Sequence, residues 1–140
     1  MKKKFSFGCT DPWLLLSIIY AQEHGNSKLS SIIGYGDFIN HAIFSLEELQ
    51  GGMYRLTKSG YVIKKSDEFL PTDKILIVYH KVIKQKSFVN KDLEFIRKQL
   101  NAPEWTSDYD PSKANESGSY IEINKEVVEK AYKEYGNRTL

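Results

Sequence analysis

Residues 45–72 constrain the fold more than any other stretch, because they encode a helix, a sharp turn and a two-stranded ribbon. Ser45 is suited to cap the helix, and Glu48 completes the capping-box signature three residues later. Apolar residues then recur at steps of three and four, which places them on one helix face: Leu46, Leu49, Met53 and Leu56. The opposite, exposed ridge is expected to hold five residues: Glu47, Gly51, Tyr54, Arg55 and Lys58.

The residues after this helix predict a ribbon. Gly60 is expected to end the helix, because glycine adopts the left-handed conformation without a steric penalty. Residues 61–63 are strand-forming Tyr, Val and Ile, and residues 64–68 form a polar tip. Phe69 and Leu70 turn back toward the core, and Pro71 stops the ribbon.

This pattern resembles the winged helix-turn-helix family, through Leu56, the Gly-Tyr-Val of residues 60–62, the charged tip and residues 69–72. In that family the helix is the recognition helix and the ribbon is the wing. Residues 11–19 and 37–49 also resemble small uncharacterised bacterial winged-helix proteins. The resemblance covers about the first half of the chain. It implies a mainly α fold with a small β-ribbon (α+β), a winged helix with a helical C-terminal extension.

The chain of 140 residues is long enough for one domain with a substantial core. Residues 1–10 are predicted to form an N-terminal tail and residues 11–88 the winged-helix domain. Residues 89–140 are predicted to form a helical extension packed on that domain. Within the extension, residues 103–119 are interpreted as a loop, since they are rich in Pro, Gly, Ser, Thr and Asn.

The first helix is expected to begin with Asp11 as its cap and Pro12 as its first residue, and to end near Gly25. Residues 13–20 are apolar nearly all round, which indicates burial on most sides. A winged-helix core covers one side of such a helix. The C-terminal half or a second subunit must cover the rest. The second alternative predicts a homodimer formed through this helix or through the apolar face of the C-terminal helix.

Four later helices are predicted. A second helix is expected over residues 28–36, followed by a further helical turn or a connecting segment. The apolar run in residues 73–84 is interpreted as a helix because of its length and flanking lysines. Asn90 is expected to cap the next helix, and Asn124 a final one. Residues 120–123 suggest a short strand before that last helix.

Positive charge is concentrated in the predicted wing and the segment after it. Residues 50–90 hold eight Lys and Arg against three Asp and Glu, an excess of five positive charges. The residues before carry a net charge of −1 and those after −2. This distribution fits a nucleic-acid-binding face, and it fits a solvated basic face equally.

Six residues are candidates for contacting double-stranded DNA. Four cationic side chains are suited to phosphate, which needs no strict spacing: Arg55, Lys58, Lys64 and Lys65. Gln50 and Tyr54 are placed to meet base edges. Glu47 and Glu48 oppose this interpretation, because two carboxylates at the start of a recognition helix repel phosphate.

Gly51 and Gly52 interrupt the helix at a cost of about 1 kcal/mol each, relative to alanine. They permit close approach of another backbone, which is DNA, the first or second helix, or a protein partner. Asp37 and His41, four residues apart, are interpreted as a polar network rather than a catalytic pair.

No motif for catalysis, a metal or a cofactor occurs, so we expect neither an enzyme nor a metalloprotein. The single cysteine, Cys9, fits a reducing cytoplasm, and no apolar run is long enough to span a membrane. Two functions remain: a DNA-binding transcriptional regulator, or a winged-helix module for protein interaction or dimerisation without DNA binding.

Overall fold

The structure, a computed structural model, describes residues 6–83, 88–104 and 118–136. These residues form six helices and two strands: α1 (Asp11–Glu23), α2 (Leu29–Asn40), α3 (Leu46–Lys58), β1 (Val62–Lys65), β2 (Glu68–Pro71), α4 (Asp73–Val82), α5 (Val89–Leu100) and α6 (Lys125–Gly136). The described chain is mainly helical with a small antiparallel sheet, which confirms the predicted α+β class. Of the helices in these ranges, none combines the length and apolarity needed to cross a membrane.

Helix α1 lies in the centre of the core, and residues 13–19 are all buried. It contacts α2, α3, α5 and β2 of the same chain. The C-terminal half of the chain therefore covers part of α1, through α5. The apolar surface that motivates a homodimer is therefore already covered within a single chain.

Residues 6–10 belong to the fold rather than to the predicted tail, whose first five residues lie outside the described ranges. Phe7 is buried, and its ring meets the Tyr61 ring edge-on with centroids 5.9 Å apart. Thr10 is the N-cap of α1. The predicted cap at Asp11 is wrong by one residue, because the Asp11 carboxylate is fully buried in the core instead of closing the helix.

Helix α2 continues four residues past its predicted end at Gly36, so the further turn left open by the sequence is part of it. Gly36 serves packing instead of ending the helix, since an added Cβ would lie 2.3 Å from the Phe44 ring. The Phe44 ring stacks on Trp13, whose indole N–H donates to the Gly36 carbonyl at 2.8 Å. The helix ends at His41, in the left-handed conformation.

Both ends of α3 form as predicted. The backbone N–H of Glu48 donates to Ser45 Oγ at 3.1 Å, and the N–H of Ser45 donates to the Glu48 carboxylate at 2.8 Å, which completes the capping box. Gly60 has a φ of +87°. The backbone N–H groups of Gly60 and Tyr61 donate to carbonyls of the last helical turn, the Schellman arrangement.

The ribbon is a tight two-residue hairpin. Lys65 lies opposite Glu68 in the antiparallel register, and Ser66 and Asp67 form the turn between them. Ser66 takes a φ of +59°, a left-handed conformation at the centre of the turn. Lys28, just before α2, forms an isolated antiparallel bridge with Glu68. This bridge places a third segment of the chain beside β2 at a single residue.

A polar corner joins the end of α3 to the start of α4. Thr72, the N-cap of α4, donates its hydroxyl hydrogen to the Gly60 carbonyl at 2.6 Å. Lys74 donates to the Ser59 carbonyl at 2.6 Å, and its ammonium lies 4.4 Å from the centroid of the Tyr61 ring. The interpretation of the apolar run after Thr72 as a helix is confirmed.

A buried carboxylate connects α1, α4 and α5. Asp92 is 4% exposed and accepts the Tyr20 hydroxyl at 2.5 Å and the Tyr79 hydroxyl at 3.4 Å. Burial, with the Asp92 carboxylate close by, raises the pKa of both tyrosines well above the usual range, so they remain donors. Helix α5 begins at Val89, so the predicted cap at Asn90 is wrong.

Residues 120–123 form a turn, and the predicted short strand is wrong. The backbone N–H of Ile123 donates to the Tyr120 carbonyl at 3.0 Å, which curls the segment instead of extending it. Asn124 caps the last helix as predicted, because its side-chain oxygen accepts the N–H of Val127 at 2.9 Å.

Helix α6 packs on α2 and is fixed there by two tyrosines. The Tyr132 hydroxyl donates to the Phe44 carbonyl at 2.6 Å, and the Tyr135 hydroxyl donates to the Asp37 carboxylate at 2.6 Å. Most of the loop predicted over residues 103–119 lies outside the described ranges.

Gly52 sets how closely α3 approaches α1. A Cβ at this position would lie 2.7 Å from a methyl carbon of Leu14 and 3.1 Å from a carboxylate oxygen of Asp11. Both residues belong to α1. Gly52 therefore permits the close approach of α1, which is one of the partners proposed from the sequence.

We expect Gly52→Ala to lower the free energy of unfolding by about 1–3 kcal/mol through overpacking, although alanine favours a helix by about 1 kcal/mol. Gly136→Ala is the matched control, since an added Cβ there meets none of the described atoms within 4 Å. Urea unfolding followed by circular dichroism measures both variants. A Gly52→Ala protein as stable as the control would contradict the close packing of α3 on α1.

Candidate nucleic-acid interface

The candidate interface is the outward face of α3 together with β1, called here the α3–β1 face. The six residues predicted to contact DNA divide into three groups in the structure. Arg55 is buried in an ion pair. Residues 118–123 contact three others, Gln50, Tyr54 and Lys64. The remaining two, Lys58 and Lys65, are exposed.

Arg55 is 2% exposed and does not lie on the exposed ridge, so that prediction is wrong. Its Nε donates to Asp11 Oδ2 at 2.6 Å and its Nη2 donates to Asp11 Oδ1 at 3.0 Å. The same carboxylate accepts the backbone N–H of Gly8 at 2.8 Å. Arg55 follows Gly52 by three residues and therefore shares the helix side that faces α1.

Gln50 is held by the C-terminal half of the chain. Its side-chain amide donates to the Ile123 carbonyl at 2.8 Å, and its backbone carbonyl accepts the N–H of Tyr120 at 3.0 Å. Gly118 lies against the ring of Tyr54, where an added Cβ would be 2.2 Å from a ring carbon. Both residues predicted to meet base edges are thus in contact with residues 118–123.

Lys64 is paired with Glu122, a carboxylate outside the predicted set of site residues. Its ammonium lies 3.0 Å from a carboxylate oxygen of Glu122. Hydrogen bonds from Lys64 and then from Tyr120 lower the pKa of Glu122 below its usual range. The Tyr120 ring also meets Phe69 of the ribbon edge-on at 5.5 Å. No short-range pattern reveals this pairing, because the residues lie 58 positions apart.

An open cleft of about 480 Å³ lies between the C-terminal half of α3 and residues 119–122. Its walls include the Tyr54 ring, Lys58 and Glu122. The Lys58 ammonium is 6.0 Å from the centroid of the Tyr54 ring. Lysines from two elements therefore flank one cleft, since Lys64 pairs with the Glu122 that lines it.

The predicted polar tip is less basic at its turn than its composition indicates. Lys64 and Lys65 lie within β1, and the turn itself consists of Ser66 and Asp67. Asp67 is 3.7 Å from the ammonium of Lys28. Lysines on successive strand residues point to opposite faces, so only one of the two can meet Glu122.

Asp37 and Cys9, two other polar residues, lie in structural surroundings. Asp37 accepts the Tyr135 hydroxyl, and its backbone carbonyl accepts the N–H of His41, as expected of a polar connection between elements. Burial, and then the Asp11 carboxylate, raise the pKa of the Cys9 thiol, which keeps it protonated near neutral pH. Across the described ranges, His, Cys, Asp and Glu nowhere gather in the groups of three that a metal site needs.

Comparison of the chain with models of known families, with curated protein sequences and with solved structures gives no match. Functional inference for this protein therefore depends on the α3–β1 face and on what covers it.

We expect Arg55→Met to lower the free energy of unfolding by about 3–5 kcal/mol, because it leaves the Asp11 carboxylate buried without its cation. Lys58→Met is the matched control: it removes one positive charge from the exposed side of the same helix and should change stability by less than about 0.5 kcal/mol. Urea titrations of the two variants give the difference. Equal stability would mean that the Arg55–Asp11 pair does not hold α3 in place.

Proposed function

We propose that this protein is a winged-helix DNA-binding protein of the transcriptional-regulator type, with α3 as recognition helix and the β1–β2 ribbon as wing. The order α1, α2, α3, β1, β2 supports the proposal, as does the bridge from Lys28 to Glu68, which places a third extended segment beside the ribbon. We further propose a cytoplasmic protein that binds and does not catalyse.

The observation that carries this proposal is that α3 and β1 each place a lysine at one cleft. Lys58 from α3 lines the cleft, and Lys64 from β1 pairs with Glu122, which forms part of the cleft wall. A phosphate in that cleft would meet cations from the helix and from the wing. Lys65, exposed on the other side of β1, adds a third charge on the ribbon.

The mode of binding we propose is backbone contact with little base readout. Gln50 already donates to a backbone carbonyl, and Arg55 is buried, so neither is available to a base edge as the protein stands. Glu47 is exposed at the first turn of α3, where it would repel phosphate. Phosphate contacts give affinity without sequence information, so binding is expected to be weak and salt-dependent.

We expect the double variant Lys58→Ala with Lys65→Ala to weaken binding of all duplex sequences alike. Each phosphate contact adds about 0.9 to the slope of log affinity against log salt, so the slope should fall by about one to two. The control, Lys130→Ala with Lys133→Ala, removes the same charge from exposed positions of α6. Fluorescence anisotropy with a labelled duplex over a range of salt concentrations measures both slopes.

The DNA-binding proposal fails if the unmodified protein binds no duplex at low salt. The assignment to the α3–β1 face fails if the α6 control lowers the slope as much as the variant at positions 58 and 65.

The second candidate function is protein interaction or homodimerisation without DNA binding, and one observation favours it. Helix α4 leaves Ile77 65% exposed and Val82 58% exposed. Large apolar side chains exposed on one short helix are typical of contact surfaces.

If α4 forms a dimer interface, sedimentation at increasing concentration should show a dimer that Ile77→Glu converts to a monomer. Lys81→Glu is the control, because it adds a carboxylate to the same helix without removing apolar surface. A monomer at every concentration, or a dimer that Ile77→Glu leaves intact, would exclude dimerisation through α4.

A further inference from the structure

Residues 118–123, called here the cover segment, lie on the residues proposed to contact DNA. The segment contacts α3 at Gln50 and at the Tyr54 ring, and it contacts β1 at Lys64. These are three of the six residues that the sequence selects for DNA contact. The cover segment therefore lies on the proposed DNA-binding residues themselves and not on a neighbouring surface.

The chemistry of the contact with β1 resembles that of a phosphate contact. The Glu122 carboxylate accepts a hydrogen bond from Lys64 at 3.0 Å, as a phosphate oxygen would. Glu122 also lines the cleft that Lys58 flanks. A DNA phosphate and the Glu122 carboxylate would therefore compete for Lys64.

The exposed part of the cover segment is held lightly, whereas its last residue, Ile123, is buried in the core. Ile121 is 89% exposed, and the side chain of Glu122 is 60% exposed, so their contacts compete with water. Exposed ion pairs contribute little to stability. The helix that follows has its own attachments, from the Tyr135 hydroxyl to Asp37 of α2 and from the Tyr132 hydroxyl to Phe44 in the segment after α2. Residues 118–122 can therefore leave the α3–β1 face while the buried Ile123 and α6 stay in place.

We propose that the cover segment is autoinhibitory: it occupies the α3–β1 face in the free protein, and its residues 118–122 leave when duplex DNA binds. This inference rests on the proposed DNA binding. It assigns Glu122 the role of an internal competitor for phosphate, and it assigns Gly118 the role of letting the segment lie flat on Tyr54.

Two variants release the segment by different means. Glu122→Gln removes the carboxylate that pairs with Lys64, and Gly118→Ala adds a Cβ where the Tyr54 ring leaves no room. The control Glu126→Gln makes the same charge change at an exposed position of α6. Gly118→Ala leaves the net charge unchanged, so a gain in affinity there cannot come from overall electrostatics.

We expect Glu122→Gln and Gly118→Ala to tighten binding of a labelled duplex at low salt by about two- to fivefold, the range of one exposed ion pair. Glu126→Gln should tighten it less. Amide hydrogen exchange reports the segment directly, because the Tyr120 N–H donates to the Gln50 carbonyl. Exchange at Tyr120 should accelerate in both variants. It should also accelerate on adding DNA to the unmodified protein, while exchange at Val128 in α6 stays slow.

The outcomes separate the inference from the proposed function. If the unmodified protein and all variants bind no duplex, the proposed function fails and the inference falls with it. If all bind equally, or if Tyr120 stays protected in the complex, the cover segment does not inhibit and DNA binding stands alone. Faster exchange at Tyr120 in a variant without tighter binding also overturns the inference.

Discussion

The buried ion pair between Arg55 and Asp11 is the interaction on which the arrangement of this protein depends. It joins α3 to the first turn of α1 with two hydrogen bonds, and the Gly8 N–H satisfies the same carboxylate. Losing one partner of such a pair costs more than the pair contributes, because the other charge stays buried. The pair therefore fixes which side of α3 faces inward, and with it which residues form the α3–β1 face.

The features that could be predicted best from the sequence are those that depend on residues close together in the chain. The Ser45–Glu48 capping box and the left-handed Gly60 depend on neighbouring residues and formed as expected. The hairpin after them also formed, although its turn is residues 66–67 and not the whole predicted tip of residues 64–68. Arg55 shows the limit. Its helical periodicity was compatible with the exposed ridge, and its partner lies 44 residues away. Gly51 and Gly52, just before Arg55, indicated that another element packs closely on this helix, but they did not indicate which element.

The second half of the chain was harder, because its role is to complete surfaces made by the first. The all-apolar α1 required a cover but could not specify its source; α5 supplies it, with Asp92 accepting the Tyr20 hydroxyl. Residues 120–123 have strand-forming side chains, yet they curl because Gln50 binds the backbone at both Tyr120 and Ile123. Local propensity yields to such tertiary hydrogen bonds.

The polar corner between α3 and α4 has a consequence for any ligand of this face. Thr72 and Lys74 bind the carbonyls of Gly60 and Ser59, and the Lys74 ammonium lies over the Tyr61 ring. These contacts join the helix, the ribbon and the following helix at one corner. A ligand that spans helix and ribbon meets two surfaces whose relative angle is set in advance. Little conformational entropy is then lost on binding, and shape alone can reject ligands of the wrong curvature.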